Sequence, residues 1–104
     1  MDKYFILFEK WFNLKEKDWK RKGIIIDEAI LATHAHQYHL KISSEYGIGT
    51  ISLYESNGLY WVDFEAGNYD YDVMFFRSNI TFLGQESISV QEREFVEYML
   101  WHDV

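Results

Sequence analysis

The pair Asn57-Gly58 constrains this chain more than any other two residues in it. It follows Ile48-Gly49-Thr50-Ile51-Ser52-Leu53-Tyr54-Glu55-Ser56 and precedes Leu59-Tyr60-Trp61-Val62-Asp63-Phe64-Glu65-Ala66, two runs in which apolar and polar residues alternate. A two-residue hairpin turn of type I′ needs positive φ at both central positions, and Asn-Gly supplies it at least steric cost. The turn fixes the register. Leu53 is expected opposite Val62 and Ile51 opposite Phe64 on one face, with Tyr54 opposite Trp61, Ser52 opposite Asp63 and Thr50 opposite Glu65 on the other.

A second turn at Gly67-Asn68 predicts a third strand, Tyr69-Asp70-Tyr71-Asp72-Val73-Met74-Phe75-Phe76. Phe64 then faces Tyr71, Val62 faces Val73 and Tyr60 faces Phe75 on the apolar side. The other side gathers Glu65 beside Asp70, Asp63 beside Asp72 and Trp61 beside Met74, bordered by Tyr54 and Phe76. A three-residue Gly67-Asn68-Tyr69 loop would instead slip the third strand by one residue and exchange its faces.

Like charges directly opposite on a sheet cost on the order of a few tenths of a kcal/mol per pair. A face that accepts such pairs beside exposed aromatics points to a binding surface, because aromatics and Met are enriched where proteins meet. Tyr54, Trp61, Asp63, Glu65, Asp70, Asp72 and Met74 are the candidate partner-binding residues. The plainer alternative is a solvated sheet face, where alternating acidic residues serve solubility alone.

With 104 residues, 48% of them hydrophobic and 19% aromatic, the chain is expected to form a single domain over residues 1–104 with one core. There is no proline and no cysteine, which excludes a disulfide framework and a thiolate metal site and fits a reducing cytoplasm. The start of the chain does not read as a signal peptide, and no apolar run approaches the roughly 20 residues that span a bilayer. A net charge of −7 argues against nucleic-acid and anionic-membrane partners and favours a basic one.

Residues from Asp2 or Lys3 to Lys22 read as an amphipathic helix. At 100° per residue, Leu14, Leu7, Trp11, Tyr4, Phe8, Trp19, Phe12 and Phe5 fill an arc of roughly 180°. Basic residues crowd its last turn and Gly23 suits its end. Strands are expected from Ile24 to about Thr33 and from Tyr38 to Ser43. Between them stand His34 and His36, with His39 nearby; two such imidazoles can share a face, but no third ligand follows at a metal-site spacing. Arg77 to Gly84 finishes the third strand or forms a connection. Ser89-Val90-Gln91-Glu92 has the form of a capping box, opening a helix to about Trp101 with Phe95, Tyr98, Met99 and His102 on one stripe. The expected fold class is α+β: an N-terminal helix, about five mostly antiparallel strands and a C-terminal helix, with both helices on the apolar side of the sheet.

Signatures of nucleophilic catalysis and of phosphate-binding loops are missing from the sequence. The carboxylates could in principle serve acid–base chemistry or a hard metal, yet an open strand face lacks the cleft that tunes catalytic groups, and their spacing matches no calcium loop. No cofactor and no catalytic activity are expected.

The arrangement resembles the TriTu family of bacterial immunity proteins. The likeness rests on Phe8-Glu9-Lys10-Trp11-Phe12 through Lys17-Asp18-Trp19, on Ile48-Gly49-Thr50-Ile51-Ser52-Leu53-Tyr54-Glu55, on Gly58 and on Asp63-Phe64-Glu65. Tyr54 stands where the family has tryptophan, and the Gly67-Asn68 turn is shorter than the family's connection. The resemblance implies an antitoxin without catalysis of its own. It would bind a contact-dependent or type VI (Rhs-type) ADP-ribosyltransferase toxin that acts on elongation factor Tu, closing the cleft to NAD or to the protein substrate. One copy per toxin domain is expected; self-association is left open. The alternative is a small acidic adaptor or regulatory domain for another basic protein.

Overall fold

The computed structural model describes residues 2–70 and 73–100. Helix α1 (Lys3–Lys22) begins at Asp2, whose side chain accepts from the Tyr4 N–H at 2.8 Å. It ends at Gly23, with φ of 97°. There the Gly23 N–H donates to Lys20 O at 3.1 Å and the Ile24 N–H to Trp19 O at 2.8 Å, the paired bonds of a Schellman cap. Lys20, Arg21 and Lys22 lie at the negative end of the helix dipole.

Five strands follow: β1 (Ile25–Ala32), β2 (Gln37–Ser43), β3 (Ile48–Ser56), β4 (Leu59–Gly67) and β5 (Met74–Thr81). They pair in sequence order, each antiparallel to the next. A short 3₁₀ turn, Thr33–Ala35, joins β1 to β2, and another, Gln85–Ile88, leads into helix α2 (Ser89–Met99). The α+β order of helix, five-stranded antiparallel sheet and helix is the expected one.

Both helices lie on one face of the sheet. Phe5, Phe8, Trp11, Phe12 and Trp19 of α1 and Phe95 and Met99 of α2 are buried with Leu40, Ile42, Ile51, Leu53, Val62, Phe64 and Ala66. Phe64 holds the centre, with the Trp11 ring 6.4 Å away edge-on and the Phe95 ring at 5.8 Å. Offset and edge-on rings of this kind add about 0.5–1.5 kcal/mol per pair beyond the area they bury. At the start of α1, the Tyr60 hydroxyl donates to the Asp2 carboxylate, which pushes the tyrosine up to about 12 and holds the carboxyl below its usual range. Tyr38 donates to Glu9 at 2.5 Å; burial and that carboxylate both raise its pKa.

Several expectations are corrected here. Leu14 is 73% exposed rather than part of the buried stripe, because it sits at the margin of the arc, about 120° round the helix from Phe8. The capping box at Ser89 does not form. The 3₁₀ turn runs straight into α2, so Ser89 is already helical and its hydroxyl donates to Glu86 O at 3.0 Å, while Glu92 turns to Trp19. His34 and His36 fall between the two strands as expected, His34 on the 3₁₀ turn and His36 in a left-handed conformation with Nδ1 2.9 Å from Glu55. His102 and Trp101 lie outside the described residues, as do Tyr71 and Asp72.

The largest correction concerns the third meander strand. It starts at Met74, so Phe64 faces Ser78 instead of Tyr71, Val62 faces Ile80 instead of Val73, and Trp61 faces Thr81 instead of Met74. The connection from β4 is closed by Asn68, whose N–H donates to Val73 O at 3.1 Å and whose Oδ1 accepts from the Val73 N–H at 3.3 Å. Lengthening a loop this way costs little entropy. It sets Arg77 opposite Glu65 and Asn79 opposite Asp63, where the expected register would have set carboxylate against carboxylate.

Candidate functional site

The uncovered side of the sheet is built from cross-strand rows. One row runs Glu28, Lys41, Thr50, Glu65, Arg77 from β1 to β5. The next runs Ile30, His39, Ser52, Asp63, Asn79, and a third runs Ala32, Gln37, Tyr54, Trp61, Thr81. Alternation along each strand puts all three rows on the side opposite the helices.

Asp63, Glu65, Tyr54 and Trp61 therefore share one face, as the Asn57-Gly58 turn predicts. Asn57 and Gly58 both have positive φ, 53° and 79°. The rings of Tyr54 and Trp61 stack at 5.6 Å with an interplanar angle of 22°. The remaining candidates are elsewhere. Asp70 is exposed in the β4–β5 connection, away from Glu65. Met74 pairs with Gly67 at the far end of the strands from Trp61. Phe76 sits opposite Ala66 on the helix side and stacks on Tyr98 at 5.3 Å. Asp72 lies outside the described residues.

Charge on this face is mixed rather than purely acidic, two cations against three carboxylates in these rows. Lys41 Nζ is 3.5 Å from Glu28 and Arg77 Nε is 3.3 Å from Glu65, while the Asn79 amide donates to Asp63. The expected like-charged pairs, Glu65 with Asp70 and Asp63 with Asp72, are replaced by an ion pair and a hydrogen bond. Strand alternation in Tyr38-His39-Leu40-Lys41-Ile42 already places His39 and Lys41 here; Arg77 and Asn79 are concealed by the misplaced third strand.

His39 Nδ1 lies 2.5 Å from Ser52 Oγ. Burial lowers its pKa below the usual imidazole value and Lys41 lowers it further, against weaker opposing pulls from Glu28 and Glu65. A serine beside a neutral imidazole is the elementary nucleophile–base pair. Here Ser52 is only 2% exposed, so its hydroxyl is sealed among its neighbours and the contact serves to fill the face. Among the described residues no three His, Cys, Asp or Glu side chains converge as a metal site. None of the described helices is long and apolar enough to cross a membrane.

Compared with family models, curated proteins and solved structures, the chain matches none. The open face carries mixed charge, with one stacked aromatic pair and long polar side chains around it.

Proposed function

We propose that this chain is an immunity-type inhibitor. It binds a secreted bacterial ADP-ribosyltransferase toxin in the cytoplasm of the producing cell and keeps the toxin's cleft closed to NAD or protein substrate. The observation that carries the proposal is the sheet face left open by both helices, with Tyr54 and Trp61 stacked on it beside Asp63 and Glu65. The resemblance of Phe8–Trp19, Ile48–Glu55 and Asp63–Glu65 to immunity proteins supports the class of partner.

The mixed charges change how such a face works. Affinity comes mainly from desolvating the two rings, which are of the type that forms interface anchors. Asp63 and Glu65, each already engaged by β5, orient the partner and tune its approach rather than acting as a cationic cleft's mirror image. The protein is a stoichiometric blocker and turns over nothing.

Calorimetric titration against the catalytic domain of an ADP-ribosyltransferase toxin, taken from a gene adjoining this one where such a gene is found, tests this, followed by an assay of NAD-dependent modification of elongation factor Tu. One-to-one binding with loss of modification is expected, and Trp61→Ala should weaken binding about 30-fold, the equivalent of about 2 kcal/mol. A folded chain that leaves toxin activity untouched at stoichiometric excess overturns the assignment.

A further inference from the structure

The charge row across the open face is self-complementary when reversed. From β1 to β5 it reads Glu28, Lys41, Thr50, Glu65, Arg77: negative, positive, neutral, negative, positive. A two-fold axis parallel to the strands and passing over β3 turns each row end for end onto its own copy. Glu28 then meets Arg77 of the second copy, Lys41 meets Glu65 of the second copy, and Thr50 meets itself. In the adjoining row the same operation sets His39 against Asp63 of the second copy, with the buried Ser52 on the axis beneath them. No carboxylate faces a carboxylate and no cation faces a cation in either row.

We infer that this face is the interface of a homodimer of the free protein, two sheets packed face to face about a two-fold axis along β3. The charges can be reached from outside, the side chains of Glu28, Lys41 and Arg77 being 54%, 56% and 71% exposed, and the second copy would extend the Lys41–Glu28 and Arg77–Glu65 ion pairs within each chain. No described element covers them. Five strands about 4.8 Å apart and about eight residues long at about 3.3 Å each give a face of roughly 24 by 26 Å. That is about 600 Å² per copy and about 1,200 Å² in all, above the roughly 1,000 Å² that a specific interface needs. A tilt of β3 by about 15° from the axis reaches the usual angle near −30° between aligned sheets. The chain's charge of −7 works against pairing of copies in general; this face carries only a small share of it, two cations against three carboxylates among its described rows, a net of one negative charge per copy. The inference does not depend on the immunity assignment; if both hold, toxin and second copy compete for one surface.

Sedimentation velocity on the purified chain, from about 1 µM to about 1 mM, reads the mass against the 12.6 kDa of one copy. A rise toward twice that value is expected. Glu28→Lys alone sets an ammonium group against Arg77 of the second copy, and Arg77→Glu alone sets a carboxylate against Glu28 of the second copy. Each variant by itself should therefore associate at least tenfold more weakly. An equimolar mixture should recover wild-type association, because in the mixed dimer both contacts become opposite in sign, and that recovery also shows both variants folded. A single mass of one copy at every concentration overturns the inference. So does association that neither substitution weakens, which would place the contact elsewhere, and so does a mixture that fails to recover.

Discussion

The indole N–H of Trp19 donates to Glu92 Oε1 at 3.1 Å, joining residues 73 positions apart and linking the end of α1 to the start of α2. Lys15 Nζ approaches the same oxygen at 3.8 Å. Trp19 is fully buried and Glu92 nearly so. The carboxylate is therefore the partner that lets a buried indole N–H leave water.

Replacing Glu92 by Leu strands that donor, and stability should fall by about 1–3 kcal/mol, the cost of a buried unsatisfied polar group. Glu92→Gln retains an acceptor and should lose less. Urea midpoints with unchanged slopes measure the difference; equal losses in the two variants would rule out the hydrogen bond as the cause.

Gly49 has no room for a side chain. An added Cβ would lie 2.7 Å from Glu65 O and 2.8 Å from the Phe95 ring, one of them backbone and the other packed core. Gly49→Ala should cost about 1–3 kcal/mol through overpacking. At Gly58 the added Cβ meets nothing, and only its φ of 79° resists, which costs about 1–2 kcal/mol. Thermal melts should show cooperative unfolding in both, with the β3–α2 packing disturbed only in Gly49→Ala, read as altered near-ultraviolet ellipticity from the aromatic core.

The two faces of β4 should answer truncation differently. Phe64→Ala removes a fully buried ring held between Trp11 and Phe95, a loss of about 3–5 kcal/mol. Trp61→Ala, three residues back on the open side, gives up mainly its stack on Tyr54, about 0.5–1.5 kcal/mol. Denaturant unfolding of the pair of variants checks which side is core.

His39 makes stability depend on pH with a definite sign. Its pKa in the fold is lowered, chiefly by burial, so between that value and the ordinary imidazole pKa of about 6.5 the unfolded chain holds more protons. Stability from this residue is complete above the unfolded pKa and declines as pH falls through the window toward the folded value. His39→Gln should flatten that part of the curve, measured as unfolding free energy between about pH 5 and pH 8.

The β3–β4 hairpin is legible because Asn57-Gly58 admits one kind of turn and the alternation around it admits one register. The position of β5 is not. Val73-Met74-Phe75-Phe76 has the apolar look of a strand centre, whereas the true strand, Met74–Thr81, is polar over most of its second half and sets Ser78 against Phe64. Its register is decided by which charges meet, Arg77 with Glu65 and Asn79 with Asp63, and by an irregularity between Ala66 and Gly67 that no local pattern announces. Hydrophobic periodicity likewise marks α1 correctly yet cannot say where the sheet beneath it ends, so Leu14 reads as core and lies in water. For the candidate face, Tyr54, Trp61, Asp63 and Glu65 follow from the hairpin alone, while its charge balance needs the neighbouring strands.

Because every strand pairs with the one made just before it, the sheet can zip up as the chain leaves the ribosome, each hairpin closing over a short loop. The side that α2 shields has no such head start. Phe95 and Met99 are synthesised after all five strands, so until they arrive the growing chain carries Phe64 and its neighbours under α1 alone. That interval is when this small protein is most open to capture by a chaperone or to sticking to its own kind.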